Sequence, residues 1–309
     1  MSNKVRSDGP EDKLVHATAF DAKPEETQQI SPLVRRIVED NPGPFTFTGT
    51  CTYIVGRGDV AVIDPGRENE AHTQAIVDAL KGERVAYIVV SHTHKDHSPG
   101  AALLAERTGA PIVGCAPFSP KEGPESGLDS AHDLAYRPAR VLSDGERIEG
   151  DGYTLETIET PGHASNHLCF ALLQERSVFS ADHVMAWSTS IVAPPDGNMT
   201  DYMNSLDRLR AREDVLFWPG HGGPVADPQR YLRALNAHRR QREAAIVRRL
   251  AAGDQTIPDM VARIYDGLDP RLVSAAALSV LAHVEDLVTR GVAVAEGPIT
   301  VNGRYRRAS

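Results

Sequence analysis

The sequence predicts an α/β protein: two sheets packed face to face, helices outside them, and a helical module at the C-terminal end. Three observations carry this reading. Short β-branched and aromatic runs recur up to about Pro228, with single helices between them. One run, residues 85–91, is continuously apolar and of strand length, as in a strand buried on both faces. After Pro228 the composition shifts to long helical stretches rich in Arg and Ala.

Residues 1–27 are mostly polar, and the first dozen have the composition of a disordered segment. Residues 30–38, 46–55 and 60–64 predict strands, separated by Asn41-Pro42-Gly43-Pro44 and Gly56-Arg57-Gly58. Residues 71–80 predict a helix, 85–91 the buried strand, 100–108 a short helix and 110–114 another strand. Residues 123–137 are polar and irregular, a surface loop near the site. A second set follows: strands at 147–148, 153–160, 168–173 and 177–181, a helix at 202–212 and a strand at 215–218. Beyond it, 229–252, 257–266 and 271–290 are helical. Residues 292–295 and 299–305 then flank Glu296-Gly297-Pro298, a hairpin signal. Helices closed by a two-stranded hairpin look like a winged-helix module.

A chain of 309 residues, 41% of them hydrophobic, has the material for one or two domains with substantial cores. The N-terminus has no basic segment followed by an apolar run, so no signal peptide is expected. No stretch of 18 or more apolar residues occurs, so no contact with a membrane is expected. Cys51, Cys115 and Cys169 are far apart and form no C-x-x-C, which fits a reducing, cytoplasmic setting and argues against cysteine as a metal ligand. The net charge of −9 is unevenly spread. Residues 229–309 hold 13 Arg and no Lys against 8 Asp and Glu, a surplus of +5 that leaves −14 on residues 1–228. A basic tail on an acidic body suits nucleic-acid contact or, more simply, arginines on solvated helix faces.

The chemistry concentrates in Ser91-His92-Thr93-His94-Lys95-Asp96-His97, three imidazoles and a carboxylate directly after the buried strand. A strand end presents such a loop at the rim of a sheet. Imidazole nitrogen and carboxylate oxygen are ligands preferred by Zn²⁺ and also suited to Fe or Mn. Thr160-Pro161-Gly162-His163, Ser180-Ala181-Asp182 and Pro219-Gly220-His221-Gly222 follow in order, each where a predicted strand gives way to a loop.

With these four elements, over roughly residues 30–228, the chain resembles the metallo-β-lactamase superfamily, whose signature is H-x-H-x-D-H. The resemblance implies a four-layer αββα sandwich and a metal-dependent hydrolase. It implies an N-terminal extension at 1–29, a catalytic domain at 30–228 and the winged-helix-like domain at 229–309. It implies two divalent ions, Zn²⁺ first, with Mn²⁺ or Fe as alternatives. His92, His94 and His163 would hold one ion, Asp96, His97 and His221 the other, and Asp182 would bridge them. The nucleophile would be a hydroxide shared by the two metals, with Asp96 accepting its proton. The all-His/Asp set is similar to that of the glyoxalase II and RNA-processing branches. Zinc β-lactamases usually carry Cys where this chain has Asp182, which argues against β-lactams as the main substrate.

Asp64, in Val62-Ile63-Asp64-Pro65-Gly66, matches a further family element. It reads either as a residue orienting a ligand histidine or as a turn-starting Asp. His167 is expected to be structural or to lie behind the ligands, and His183 to point away from them. His16, His72, His132, His238 and His283 have no partners in sequence and are expected to be ordinary. Tyr202 reads as core, with substrate contact as the alternative.

Asp201-Tyr202-Met203-Asn204-Ser205-Leu206, Pro219-Gly220-His221-Gly222-Gly223-Pro224-Val225 and His238-Arg239-Arg240-Gln241-Arg242-Glu243, with the tail, resemble the beta-lactamase-like protein 2 branch. That resemblance implies cleavage of single-stranded RNA. A thioesterase or a small-ester or lactone hydrolase of glyoxalase II type is the alternative, and an iron-dependent persulfide dioxygenase a further one. The basic tail and Lys95 in the metal loop favour RNA. The acidic body and an aromatic content of 6% weigh against it. The expected partners are therefore a small ester or thioester or single-stranded RNA, with a homodimer as the default assembly.

Overall fold

The computed structural model describes residues 13–120 and 131–308. The polar first dozen residues, and 123–130 of the expected surface loop, lie outside them. The first half builds β1 (Gln28–Gln29), β2 (Val34–Val38), β3 (Cys51–Arg57), β4 (Asp59–Ile63), α1 (Glu70–Leu80), β5 (Arg84–Val90), α2 (Gly100–Thr108), β6 (Ile112–Gly114) and β7 (Arg140–Val141). The second builds β8 (Arg147–Gly150), β9 (Tyr153–Glu159), β10 (Leu168–Leu172), β11 (Ser177–Ala181), α3 (Met199–Arg210) and β12 (Leu216–Pro219). α4 (Pro228–Ala251), α5 (Ile257–Ile264), α6 (Val273–Thr289) and the hairpin β13 (Ala293–Ala295) and β14 (Tyr305–Arg307) complete the chain.

The first sheet runs β1 to β7 in chain order, antiparallel up to β4 and parallel from there. The second has the order β12-β11-β10-β9-β8, with only β11 and β12 parallel. Alternation along β10 shows how the sheets stack. Leu168, Phe170 and Leu172 enter the core shared with Tyr53, Val60 and Val62 of the first sheet. Cys169 and Ala171 enter a second core with Tyr202, Leu206 and Leu209 of α3. Ile76 and Leu80 of α1 and Leu104 of α2 join the first core, so helices flank both sheets.

Local chemistry sets the helix ends. Asn69 Oδ1 accepts from the Ala71 and His72 amides at the start of α1, and Lys81 ends it in the left-handed conformation. Asn198 caps α3, and Asp227 with Pro228 opens α4. α4 then enters two cores. Leu232 and Leu235 pack with α3, while Ile246 and Leu250 pack with Met260 of α5, Val280, Leu281 and Val284 of α6, and Tyr305. Within Pro270–Thr289 an 18-residue window has a mean hydropathy of 1.5, long and apolar enough to cross a membrane by length and composition. The buried side of α6 packs against α4, α5 and the hairpin.

Residues 30–33, expected within a strand, form a bend between β1 and β2, and three further segments depart from the expected pattern. Residues 46–50 have strand composition but form a turn, with Phe47 at φ 55° and Gly49 at φ 137°. A Cβ on Gly49 would stand 2.0 Å from the Glu39 carbonyl oxygen, so the turn needs glycine there. The last strand is Tyr305–Arg307 rather than 299–305. The Tyr305 hydroxyl bonds the amide and carbonyl of Thr300, which holds the intervening residues in a turn. The two-residue edge strand β7 has no pattern long enough to announce it.

His283 of α6 is buried, and neither ring nitrogen has a hydrogen-bond partner among the described residues. Burial, then the nearby charge of Arg239, pushes its pKa down to about 3. The unfolded chain takes up this proton below about pH 6.5 and the folded chain does not, so stability falls as the pH drops from there toward 3. Replacing His283 with Leu should remove up to one proton, about 1.4 kcal/mol per pH unit, from the slope of unfolding free energy between pH 6 and 4. Urea unfolding across that range reads the slope, and an unchanged slope would show that His283 does not set it.

Candidate metal centre

Five strands deliver the site to one rim. Asp64 follows β4, His92–His97 follow β5, His163 follows β9, Asp182 follows β11 and His221 follows β12. The two sheets are tied together at this edge. The Cys51 amide donates to the Gly220 carbonyl at 2.8 Å, Tyr53 Oη donates to the Pro219 carbonyl at 2.6 Å, and Thr50 forms a bridge with His221.

All seven side chains expected as ligands converge, in two clusters. In the first, His94 Nδ1 lies 3.0 Å from His92 Nε2 and 3.1 Å from His163 Nε2. In the second, His221 Nε2 lies 3.3 Å from Asp96 Oδ2, and His97 Nε2 lies 3.5 Å from that same oxygen. Asp182 stands between them. Its Oδ1 is 3.4 Å from His97 Nε2 and 3.3 Å from His221 Nε2, and its Oδ2 is 3.7 Å from His163 Nε2.

The far side of each ring sets which nitrogen is offered. His163 Nδ1 donates to the Ile191 carbonyl at 2.6 Å and His221 Nδ1 to the Gly49 carbonyl at 3.3 Å. Asp64 Oδ2 accepts from His97 Nδ1 at 3.0 Å and from Ser91 Oγ at 2.6 Å, and Ser91 Oγ in turn accepts from His92 Nδ1 at 2.9 Å. Asp64 Oδ1 also accepts the Ser91 amide, so this one carboxylate orients a ring and holds the start of the loop. Those anchors leave Nε2 of four rings facing inward, while His94 presents Nδ1.

Burial, with neighbouring imidazoles, pushes His92 well below the usual range and His94 down to about 3, so both stay neutral with free lone pairs. Burial opposes charge in the second cluster too. There the carboxylates of Asp96 and Asp182 win: they raise His97 well above its usual value and His221 to about 9, while both carboxyl groups stay ionised. The carboxylates therefore require positive charge opposite them.

His97 Nε2, His221 Nε2 and Asp182 Oδ1 are buried and make no hydrogen bond. Their 3.3–3.5 Å separations are too long for good hydrogen bonds. They match donors around a shared cation: four ligands at roughly 2.0–2.1 Å in a tetrahedron lie about 3.3 Å from one another. The donor set thus fits a pair of divalent cations by spacing, charge and unsatisfied atoms.

A sequence model of the metallo-beta-lactamase superfamily matches residues 45–221, and one of the beta-lactamase associated winged helix domain matches 256–299. The chain belongs to the metallo-beta-lactamase superfamily. It is a metallohydrolase of that fold carrying a C-terminal winged helix, and members of the superfamily bind divalent metals. Lactamase-like protein adaB of Aspergillus niger is 28% identical over 267 residues, covering 81% of this chain and 78% of that one. A beta-lactamase-like protein 2 homolog of Caenorhabditis elegans is 29% identical over 267 residues, covering 82% and 83%. An atrochrysone carboxyl ACP thioesterase of Claviceps purpurea is 29% identical over 249 residues, covering 78% and 74%. In fold, the chain is similar to a beta-lactamase domain protein from Burkholderia ambifaria (TM-score 0.78, 22% identity, 97% and 99% of the chains). It is also similar to a metallo-beta-lactamase family protein from Thermus thermophilus (TM-score 0.73, 23% identity, 90% and 100%).

The remaining residues sort clearly on this superfamily scaffold. His167 lies behind the cluster, its ring 5.0 Å from that of His92 and its Nδ1 2.9 Å from Thr160 Oγ1. His183 is buried against Tyr202, 4.6 Å between rings, and joins neither cluster. Tyr202 is core: it is fully buried and donates to the His183 carbonyl at 3.1 Å. Lys95 is exposed, and the three cysteines are free, buried and outside both clusters.

His132 was expected to be ordinary, and the structure corrects this. Its ring packs 4.7 Å from that of His94 and stacks on Phe118, with Nδ1 2.9 Å from Thr93 Oγ1 and Nε2 3.3 Å from Asp196. Residues 131–133 pair with the metal loop: the Lys95 amide donates to Ala131 and the Asp133 amide to Thr93. Neither His132 nor Asp196 carries a local sequence signal, because both reach His94 only through the folded chain.

Gly220 gives the sharpest check on the cluster. A Cβ there would lie 2.5 Å from Asp182 Oδ1 and 2.8 Å from His97 Cε1. Gly220→Ala should weaken cation uptake roughly ten- to a hundredfold in a chelator competition while leaving far-UV circular dichroism unchanged. Wild-type uptake by this variant would mean that the packing around Asp182 does not control the site.

Proposed function

We propose that this chain hydrolyses acyl thioesters at a pair of divalent cations. His92, His94 and His163 would hold one cation and Asp96, His97 and His221 the other, with Asp182 shared between them. The split of Asp182 carries this reading, with one oxygen toward each cluster. Cations bound there supply a Lewis acid and a solvent molecule acidic enough to attack at neutral pH. The chain does the rest. Asp182, its side chain 10% exposed, keeps the two clusters in register. Asp96, its side chain 26% exposed against 10% for Asp182, is the more open of the two carboxylates, and it is the one we assign to take up the proton as attack begins. Asp64 and the Ile191 and Gly49 carbonyls hold the rings so that little reorganisation is needed. No activated serine or cysteine is required.

The thioester assignment draws on relatives named as acyl-carrier thioesterases, among them the one from Claviceps purpurea. RNA, the first reading from sequence, draws less support from the C-terminal module, whose arginines sit largely on α4 rather than α6. α6 carries no Lys or Arg to offer a phosphate backbone, and its buried face is given to the core of the C-terminal module. The body around the site carries the −14 charge. Zn²⁺, Mn²⁺ and Fe all suit this donor set, so the cation is assigned by measurement.

The test is a side-by-side assay of cation-loaded protein on acyl-CoA and acyl-carrier thioesters, single-stranded RNA, lactones and a β-lactam, with elemental analysis. We expect two cations per chain, thioester turnover that a chelator abolishes, and a loss of about a hundredfold or more in kcat for Asp96→Ala. RNA cleavage faster than thioester turnover would overturn the substrate class. One iron with oxygen uptake would overturn hydrolysis itself.

A further inference from the structure

Arg239 of α4 is a charge in an unusual place. It is 3% exposed, and its partners among the described residues are a carbonyl and an aromatic ring, with no carboxylate. Its guanidinium stacks 4.9 Å over the Tyr202 ring, its Nη2 donates to the Ser190 carbonyl, and its Nε has no partner. A buried cation with no carboxylate opposite it is strongly disfavoured. Its field also falls on the buried imidazole of His283, which burial first and then Arg239 drive down to about 3. Packing alone would be served better by a methionine.

The contacts of Ser190 explain what the charge does. Residues 182–198 connect Asp182 to α3, and α4 holds this connection at two points. Tyr231 Oη donates to the Met185 carbonyl at 2.6 Å, and two turns further along α4 Arg239 holds Ser190. Ser190 Oγ donates to the His183 carbonyl at 2.8 Å, beside the Tyr202 hydroxyl bond to that same oxygen. The next residue is Ile191, whose carbonyl accepts from His163 Nδ1 at 2.6 Å. One peptide bond therefore separates the carbonyl gripped by Arg239 from the carbonyl that aims His163.

We propose that Arg239 is a positioning residue: by clamping the Ser190 carbonyl it fixes the Ile191 carbonyl and so sets the aim of His163 at the first cluster. It links the long helix of the C-terminal module to the catalytic rim. This inference rests on His163 being a cation ligand, as proposed above.

Arg239→Met keeps the bulk and removes charge and donors; Arg239→Gln restores a neutral donor. Cation affinities are read by chelator competition and stability by thermal unfolding of the cation-free protein. The expected result for Arg239→Met is a loss of about tenfold or more at one of the two cations, the other staying within about twofold, with Tm unchanged or raised. Arg239→Gln should recover part of that affinity. A purely structural arginine would lower Tm and leave both affinities unchanged in the folded protein, and that outcome would overturn the proposal. So would equal losses at both cations. If Arg239→Met does not fold, Arg239→Leu takes its place, and wild-type affinities at both cations in that variant overturn the proposal. A wild-type protein that takes up fewer than two cations brings down the functional reading instead, which separates the two failures.

Discussion

One carboxylate organises the catalytic rim. Asp182 sends Oδ1 toward His97 and His221 and Oδ2 toward His163, so two groups of donors from distant parts of the chain share one rigid side chain. A buried anion in that position is tolerable only if positive charge faces it from both sides. Imidazoles meet that demand on one side through the raised pKa values of His97 and His221. On the other side, neutral His92 and His94 keep their lone pairs aimed inward. The pair of divalent cations proposed above would answer both conditions at once.

The fold places Asp182 by ending strands from both sheets at one rim. β11 and β12 run parallel, so Asp182 and His221 emerge side by side, and the parallel pair β4 and β5 does the same for Asp64 and the metal loop. Bonds from Cys51 and Tyr53 to residues 219–220 lock the two sheets where they meet. Gly220 keeps the space beside Asp182 clear. Around this frame, the turn at residues 46–49, the 131–133 segment and the 182–198 connection each supply a contact to a ring: Gly49 to His221, His132 to His94, Ile191 to His163.

What could be read in the sequence was whatever is local. The metal loop after residues 85–91, and the single residues His163, Asp182 and His221, stand at strand ends that β-branched runs announce within a few positions. The start of the long helix was legible where composition shifts after Pro228, whereas the cap at Asn69 emerged only in the folded chain. The residues behind the ligands were not legible. His132 and Asp196 meet across 64 positions, and Arg239 reaches Ser190 across 49. No periodicity encodes such approaches. The misread strand at 46–50 has the same cause: Thr46, Phe47 and Thr48 suit a strand by composition, but the bond from His221 and the backbone at Gly49 hold the segment as a turn.

Anomalous diffraction from crystals grown with a divalent metal tests the central claim most directly. Two peaks roughly 3.5–4 Å apart should appear, one among His92, His94 and His163, the other among Asp96, His97 and His221, each within bonding distance of a different oxygen of Asp182. A single peak, or two peaks that leave either Asp182 oxygen unbound, would contradict it.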